Sequence, residues 1–218
     1  MLQIARVAQK ALGESAGLVR DFLQRQITPE GGGADRAGRP DLYYTIFVLA
    51  GLEVLQAEIP TARVEPFVRG FGDGAGLDFV HLGALARCCA AIGLEKMPRG
   101  FADAILARLE AFRTADGGYD VKAGAPNGNA YGCFVALGAY QDLRREIPEP
   151  LRMVQCLKFL ETPGGAWGNV RGMRDGTVPA TAAAITLLHQ LGMPGLDKLL
   201  DLLIVKVSQP RDRDTVFG

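Results

Sequence analysis

The chain has 218 residues, 48% of them hydrophobic, enough for one or two domains with a proper core. Lys plus Arg number 24 and Asp plus Glu number 24, so no global field draws the protein to nucleic acid or to an anionic membrane. The four cysteines, Cys88, Cys89, Cys133 and Cys156, form no Cys-x-x-Cys pair, which argues against a disulfide framework or a structural zinc site and for small buried hydrophobes in a reducing compartment.

The first segment, Met1–Val19, is broken by Arg6, Gln9, Lys10 and Glu14 and does not read as a secretory signal. No apolar run approaches the ~20 residues a bilayer span needs. The cytoplasm is therefore the expected location. An amphipathic helix is expected over Leu18–Gln26, followed by the glycine cluster Gly31-Gly32-Gly33. Pro40-Asp41 then introduces a helix over Leu42–Leu55 that is apolar nearly all round. A weaker amphipathic segment around Val64–Arg69 leads to a second cluster, Gly72-Asp73-Gly74-Ala75-Gly76, and to another apolar helix over Leu77–Ile92.

The same alternation continues. Phe101–Arg113 is amphipathic, with Phe101, Ile105, Leu109 and Phe112 on one face; Gly117-Gly118-Tyr119 follows, then Asn127–Asn129 and an apolar helix over Ala130–Leu143. Leu151–Glu161, Gly164-Gly165-Ala166-Trp167, Asp175–Pro179 and the apolar Ala180–Leu191 complete a fourth unit. The clusters recur at roughly 40 to 47 residues, the period of two-helix repeats. Glycine is expected to terminate each amphipathic helix in the left-handed conformation. Gly195–Val207 reads as a fifth amphipathic helix before the chain ends at Val216-Phe217-Gly218. No strand pattern competes.

One helix of each pair has a wet face and the other has none. The amphipathic helices are therefore expected outside and the apolar ones inside, curving about a hollow. The prediction is an all-α single domain over residues 1–218, an α/α toroid of about four and a half two-helix repeats. Such an array does not close in the ordinary way. An open crescent is expected, or a homodimer that covers the inner face; a chain cut short of its natural end looks the same.

The glycine clusters carry a family resemblance. Phe22-Leu23-Gln24-Arg25-Gln26 leading to Gly31-Gly32-Gly33 resembles the Gln-to-Trp repeat of triterpene cyclases of the squalene–hopene type, and Phe159-Leu160 leading to Gly165-Ala166-Trp167 is similar without the glutamine. Phe112 followed by Asp116-Gly117-Gly118-Tyr119 resembles the same repeat in protein prenyltransferase β subunits. The resemblance covers roughly residues 15 to 192 and recurs in register. The acid motif Asp-x-Asp-Asp of the cyclases has no counterpart; Asp212-Arg213-Asp214 is a poor substitute. At the place of the transferases' zinc-binding Asp-x-Cys stands Asp175-Gly176-Thr177, and Pro40-Asp41-Leu42-Tyr43 has the same shape in the first repeat. Zinc is not expected as a cofactor, because a thiolate ligand is missing.

Candidate site residues follow. Asp41 and Asp175 stand before apolar helices, as caps or as acids and ligands. Arg36, Arg39, Lys122, Arg171 and Arg174 cluster in the loops at one rim, where helix N-termini converge; they are solvated loop charges or a rim for a prenyl diphosphate. Tyr43, Tyr44, Phe47, Tyr131, Phe134 and Trp167 are core packing or, as the resemblance implies, an aromatic wall for isoprenoid chains. His81 is a hydrogen-bonded core histidine or a residue of the hollow. The resemblance implies a protein that handles an isoprenoid in its apolar hollow. The alternative is a non-catalytic repeat scaffold for a helical partner protein.

Overall fold

A computed structural model of the chain describes residues 11–193; the expected fifth amphipathic helix, Gly195–Val207, lies outside them. Among the described residues the protein is mostly helical, with eight α-helices. They are α1 (Ser15–Arg25), α2 (Leu42–Val54), α3 (Thr61–Arg69), α4 (Phe79–Ile92), α5 (Phe101–Glu110), α6 (Ala130–Asp142), α7 (Pro150–Lys158) and α8 (Val178–Gln190).

The apolar helices form a row, α2 on α4, α4 on α6 and α6 on α8. The amphipathic helices pack on that row: α1 on α2, α3 on α4, α5 on both α4 and α6, and α7 on α8. Composition explains the division. On α4 the buried positions run round the helix, from Phe79, Leu82 and Leu85 to Ala86, Cys88 and Cys89, and no residue of it is exposed. On α5 burial falls on Phe101, Ile105, Leu106 and Leu109, one stripe of the helix. All four cysteines are buried and free, as expected of core residues, and burial raises the Cys89 thiol to about 12.

The expectation of no strand is corrected. Gly33–Ala34 (β1) and Pro40–Asp41 (β2) form a short antiparallel ladder, and isolated bridges join Ile27 to Gly33, Arg113 to Tyr119 and Glu161 to Trp167. These pairings come from the glycine clusters, whose role also differs from expectation. Helices α1, α5 and α7 end on Gln26, Ala111 and Phe159, all in right-handed conformation, so glycine does not stop the helix. It turns the chain afterwards. In each case a buried threonine opens the turn: the Thr28 N–H donates to Gly32 O, Thr114 N–H to Gly118 O and Thr162 N–H to Ala166 O. The third residue after each threonine, Gly31, Gly117 or Gly165, has φ of +99°, +86° or +73°, which glycine takes without a Cβ penalty. The second cluster has no threonine and turns differently.

Each turn is then pinned to the apolar helix that follows. The Gly33 N–H donates to Thr45 Oγ1 at 2.7 Å and the Trp167 N–H to Thr181 Oγ1 at 3.0 Å. In the third repeat Cys133 takes the place of these hydroxyls, four residues after the cap, and its thiol lies beside that of Cys156 near Gly118. A carboxylate knits the same repeat. Both the Tyr119 and Tyr140 hydroxyls donate to Glu110 Oε1, the latter at 2.6 Å, tying α5, the turn and α6 together.

Burial and the Glu110 carboxylate push both phenols well above their ordinary range. A raised folded value means this stabilisation is present below about pH 10, the phenol's ordinary pKa, and is lost as pH rises further. Spectrophotometric titration should therefore show no tyrosinate from Tyr119 or Tyr140 near pH 10 in the native state. Ionisation of all five tyrosines before unfolding would contradict the Glu110 network.

Candidate functional site

Three apolar helices present side chains that no other element covers. Tyr43 and Phe47 on α2 are 36% and 55% exposed, and Tyr131 and Phe134 on α6 are 41% and 44% exposed. Large aromatics at such exposure in otherwise buried helices are not core. They wall a groove of about 280 Å³ across α2, α4 and α6. Its floor is made of small residues, Gly83 and Ala84 on α4 with Gly138 and Ala139 on α6, with Val80 and Val135 beside them. Small residues let the helices approach: a Cβ on Gly83 would lie 2.5 Å from Val135 Cγ1. Tyr43 and Phe47, one helical turn apart, meet edge to face at 5.0 Å between centroids.

The N-terminal end of these helices carries polar chemistry. Asp41 caps α2, accepting the Tyr44 N–H at 2.9 Å, and Asp78 caps α4, accepting the His81 N–H at 2.9 Å. The His81 ring spans the two caps: Nδ1 is 2.8 Å from Asp78 Oδ1 and Nε2 is 4.0 Å from Asp41 Oδ2. Burial alone would raise the Asp78 carboxyl, but the His81 N–H and imidazole outweigh it and hold it below the usual carboxylate range. The Tyr131 phenol is raised by burial first, then by the Tyr43 phenol and the Asp78 carboxylate. At the far end, Arg87 on α4 pairs with Asp142 on α6. Burial keeps the Asp142 carboxyl above its ordinary value against that pairing, and the Glu53 carboxylate adds to the rise. A histidine between two carboxylates at the mouth of an aromatic groove is equipped to hold a polar head group or to pass a proton to one.

No protein-family model matches the chain, and no curated protein matches it.

The structure brings together some of the residues singled out from sequence and separates others. Tyr43 and Tyr131 line the groove, and Asp41 and His81 approach each other at the adjoining N-terminal ends of α2 and α4. His81 is half-buried and faces the rim, so the core reading of this residue is corrected. Tyr44 points to a neighbouring cleft, lined also by Phe22, Leu23 and Arg36 on the α1 side. Trp167 is 4% exposed and its indole N–H donates to Leu157 O, so it belongs to the core and not to a groove wall. Asp175 is exposed and does not cap α8; the Thr177 hydroxyl accepts the Ala180 N–H instead.

Two of the rim arginines are ion-paired. Arg39 pairs with Asp35 at 3.0 Å. Arg171 pairs with Asp116 at 2.6 Å and lies 4.4 Å over the Phe159 ring at the end of α7, on the amphipathic side. Arg174 is exposed beside Asp175. The residues do not fit a zinc site. The Thr177 hydroxyl serves as a cap, and among the described residues no three His, Cys, Asp or Glu are placed to hold a metal ion. No helix among the described residues is long and apolar enough to cross a membrane.

Sequence reasoning missed Asp78, Arg87 and Asp142. A usable signal was present for the last two: Arg87 is the lone Lys or Arg of α4, and Asp142 the lone charge of α6. A charge in a helix that is otherwise apolar all round needs a partner, and each is the other's.

Proposed function

We propose that the protein is a prenyltransferase- and terpene-cyclase-like helical-repeat protein that binds an isoprenoid-type hydrocarbon chain along the groove of α2, α4 and α6. One observation carries the reading: four aromatic side chains, Tyr43, Phe47, Tyr131 and Phe134, stand exposed on helices whose other faces are buried. Aromatic walls over a glycine and alanine floor suit a long, thin, apolar ligand, and a volume of about 280 Å³ is near the lower end of small-molecule sites. The recurrence of the glycine clusters in register with those of the two families supports the same reading. A toroid-like curvature of the row would place this face inward. Catalysis would rest on His81, whose ring lies between the Asp78 and Asp41 carboxylates.

The test is calorimetric titration with farnesol of the wild-type protein and of a groove-filling variant. A Cβ on Gly138 meets only Arg87 Nη2, at 3.5 Å, so Gly138→Leu puts bulk into the groove without a backbone clash. Wild-type binding and a loss of about tenfold or more in the variant, at unchanged Tm, are expected. Equal binding by the two proteins, or none by either, would overturn the reading. The same exposed aromatics suit a helical partner protein; a wild-type chain that ignores farnesol but co-purifies with a stoichiometric helical partner, lost in Gly138→Leu, would favour that scaffold.

A further inference from the structure

We infer that the groove selects ligands with a cationic head group, an amphiphilic amine, over those with a diphosphate. The inference rests on the proposed hydrocarbon groove and concerns what its ends recognise. The N-terminal ends of α2 and α4, next to the groove residues Tyr43 and Val80, carry the carboxylates of Asp41 and Asp78 and the imidazole of His81. Two carboxylates against one imidazole leave this mouth net negative whether or not the ring is protonated. The far end holds Asp142 and Arg87, with Glu53 near enough to act on Asp142, and two carboxylates against one guanidinium again leave a net negative charge.

Two of the loop arginines are already paired, Arg39 with Asp35 and Arg171 with Asp116. Arg36 lines the neighbouring cleft on the α1 side. The aromatic walls have the same preference as the carboxylates, because their ring faces are the negative end of the quadrupole and attract ammonium groups. A diphosphate would meet two carboxylates at the mouth, and Asp142 with Glu53 beside Arg87 at the far end.

Size distinguishes a small amphiphile from a basic peptide. A groove of about 280 Å³ matches a small ligand. A peptide or protein partner of ordinary stability needs a broader contact, on the order of 800 Å² per side. Two larger clefts, of about 590 and 490 Å³, lie beside Asp73 and α5. The Asp73 carboxylate there is already paired with Arg108, and neither cleft has facing aromatic walls.

The test compares farnesylamine, farnesol and farnesyl diphosphate on the full chain by calorimetry at low and high salt. Farnesylamine should bind about two- to fivefold more tightly than farnesol at low salt, the scale of one exposed ion pair. Farnesyl diphosphate should bind most weakly, and the amine's advantage should shrink as salt rises. Asp41→Asn with Asp78→Asn keeps both helix caps, since asparagine caps as well as aspartate, but removes both charges. That double variant should lose part of the amine's advantage over the alcohol, the part that the two mouth carboxylates supply. Amine and alcohol binding equally, diphosphate binding best, or the amine's advantage surviving undiminished in the double variant would each overturn the inference and leave the hydrocarbon groove standing. A Lys-rich amphipathic peptide that binds where farnesylamine does not would overturn the assignment of a small ligand. Failure of all three farnesyl compounds would remove the groove reading itself.

Discussion

Gly132→Ala is expected to destabilise the protein by about 3 kcal/mol, the upper range for overpacking a tight contact. Gly132 lies in the first turn of α6, against the turn that joins α5 to it. A Cβ there would sit 2.2 Å from the Tyr119 carbonyl oxygen and 2.7 Å from its carbon. Both are backbone atoms, and the Tyr119 carbonyl already accepts the Asn129 N–H. Relief therefore requires α6 and the turn to separate, which loosens Tyr119, Ala130 and Cys133 together. Thermal unfolding should show Tm lower by about 10 °C for a chain of this size. Gly164→Ala is the control. Its added Cβ meets nothing within 4 Å and its φ is not left-handed, so the variant should match or slightly exceed the wild type. Equal behaviour of the two variants would show that the close approach of α6 to its turn does not govern stability.

Glu110→Ala should cost about as much, roughly 3 kcal/mol, through a different mechanism. Glu110 Oε1 accepts from two tyrosine hydroxyls, and Tyr119 is fully buried, so removing the acceptor strands a polar group without water. Arg113, within 3.8 Å of the same carboxylate, keeps its 3.0 Å pairing to Glu149, so the loss concentrates on the tyrosines. Glu110→Gln retains an acceptor oxygen and should recover most of the stability, to within about 1 kcal/mol of wild type. Chemical denaturation at pH 7 reads both. If glutamine and alanine destabilise equally, charge and not hydrogen bonding holds this junction.

Hydrophobic periodicity made most of the helical frame legible. The apolar segment expected over Leu42–Leu55 is observed as Leu42–Val54, because nothing in a continuous apolar helix depends on distant partners. Phe101–Arg113 was too long by three residues: the chain leaves the helix at Glu110 so that Arg113 can bridge to Tyr119 and Thr114 can open the turn. That exit is decided by hydrogen bonds across the turn, which a 3.6-residue period does not register. The recurring threonine three residues before a left-handed glycine was present in the sequence at Thr28, Thr114 and Thr162, and reading the glycines alone obscured it.

The candidate site was half legible for the same kind of reason. Asp41, Tyr43, His81 and Tyr131 each lie within the first turn of an apolar helix or at its cap, so parallel stacking of those helices brings them to one end. Asp175 also precedes a helix, yet the pairing of the Thr177 N–H with Trp167 O sets the register and leaves the cap to the Thr177 hydroxyl. Pairs such as Arg171 with Asp116, 55 residues apart, are made by the fold, and local spacing carries no sign of them. Counting loop arginines therefore overstated the positive charge of the rim.

The most direct test of the central claim, that the aromatic face of α2, α4 and α6 is the ligand site, is a crystal structure of the full chain grown with farnesylamine. The hydrocarbon should run between the Tyr43–Phe47 and Tyr131–Phe134 walls, with the ammonium within hydrogen-bond reach of Asp41 or Asp78. A ligand seated in the cleft beside Asp73 and Arg108, or with its nitrogen turned away from both carboxylates into solvent, would contradict it.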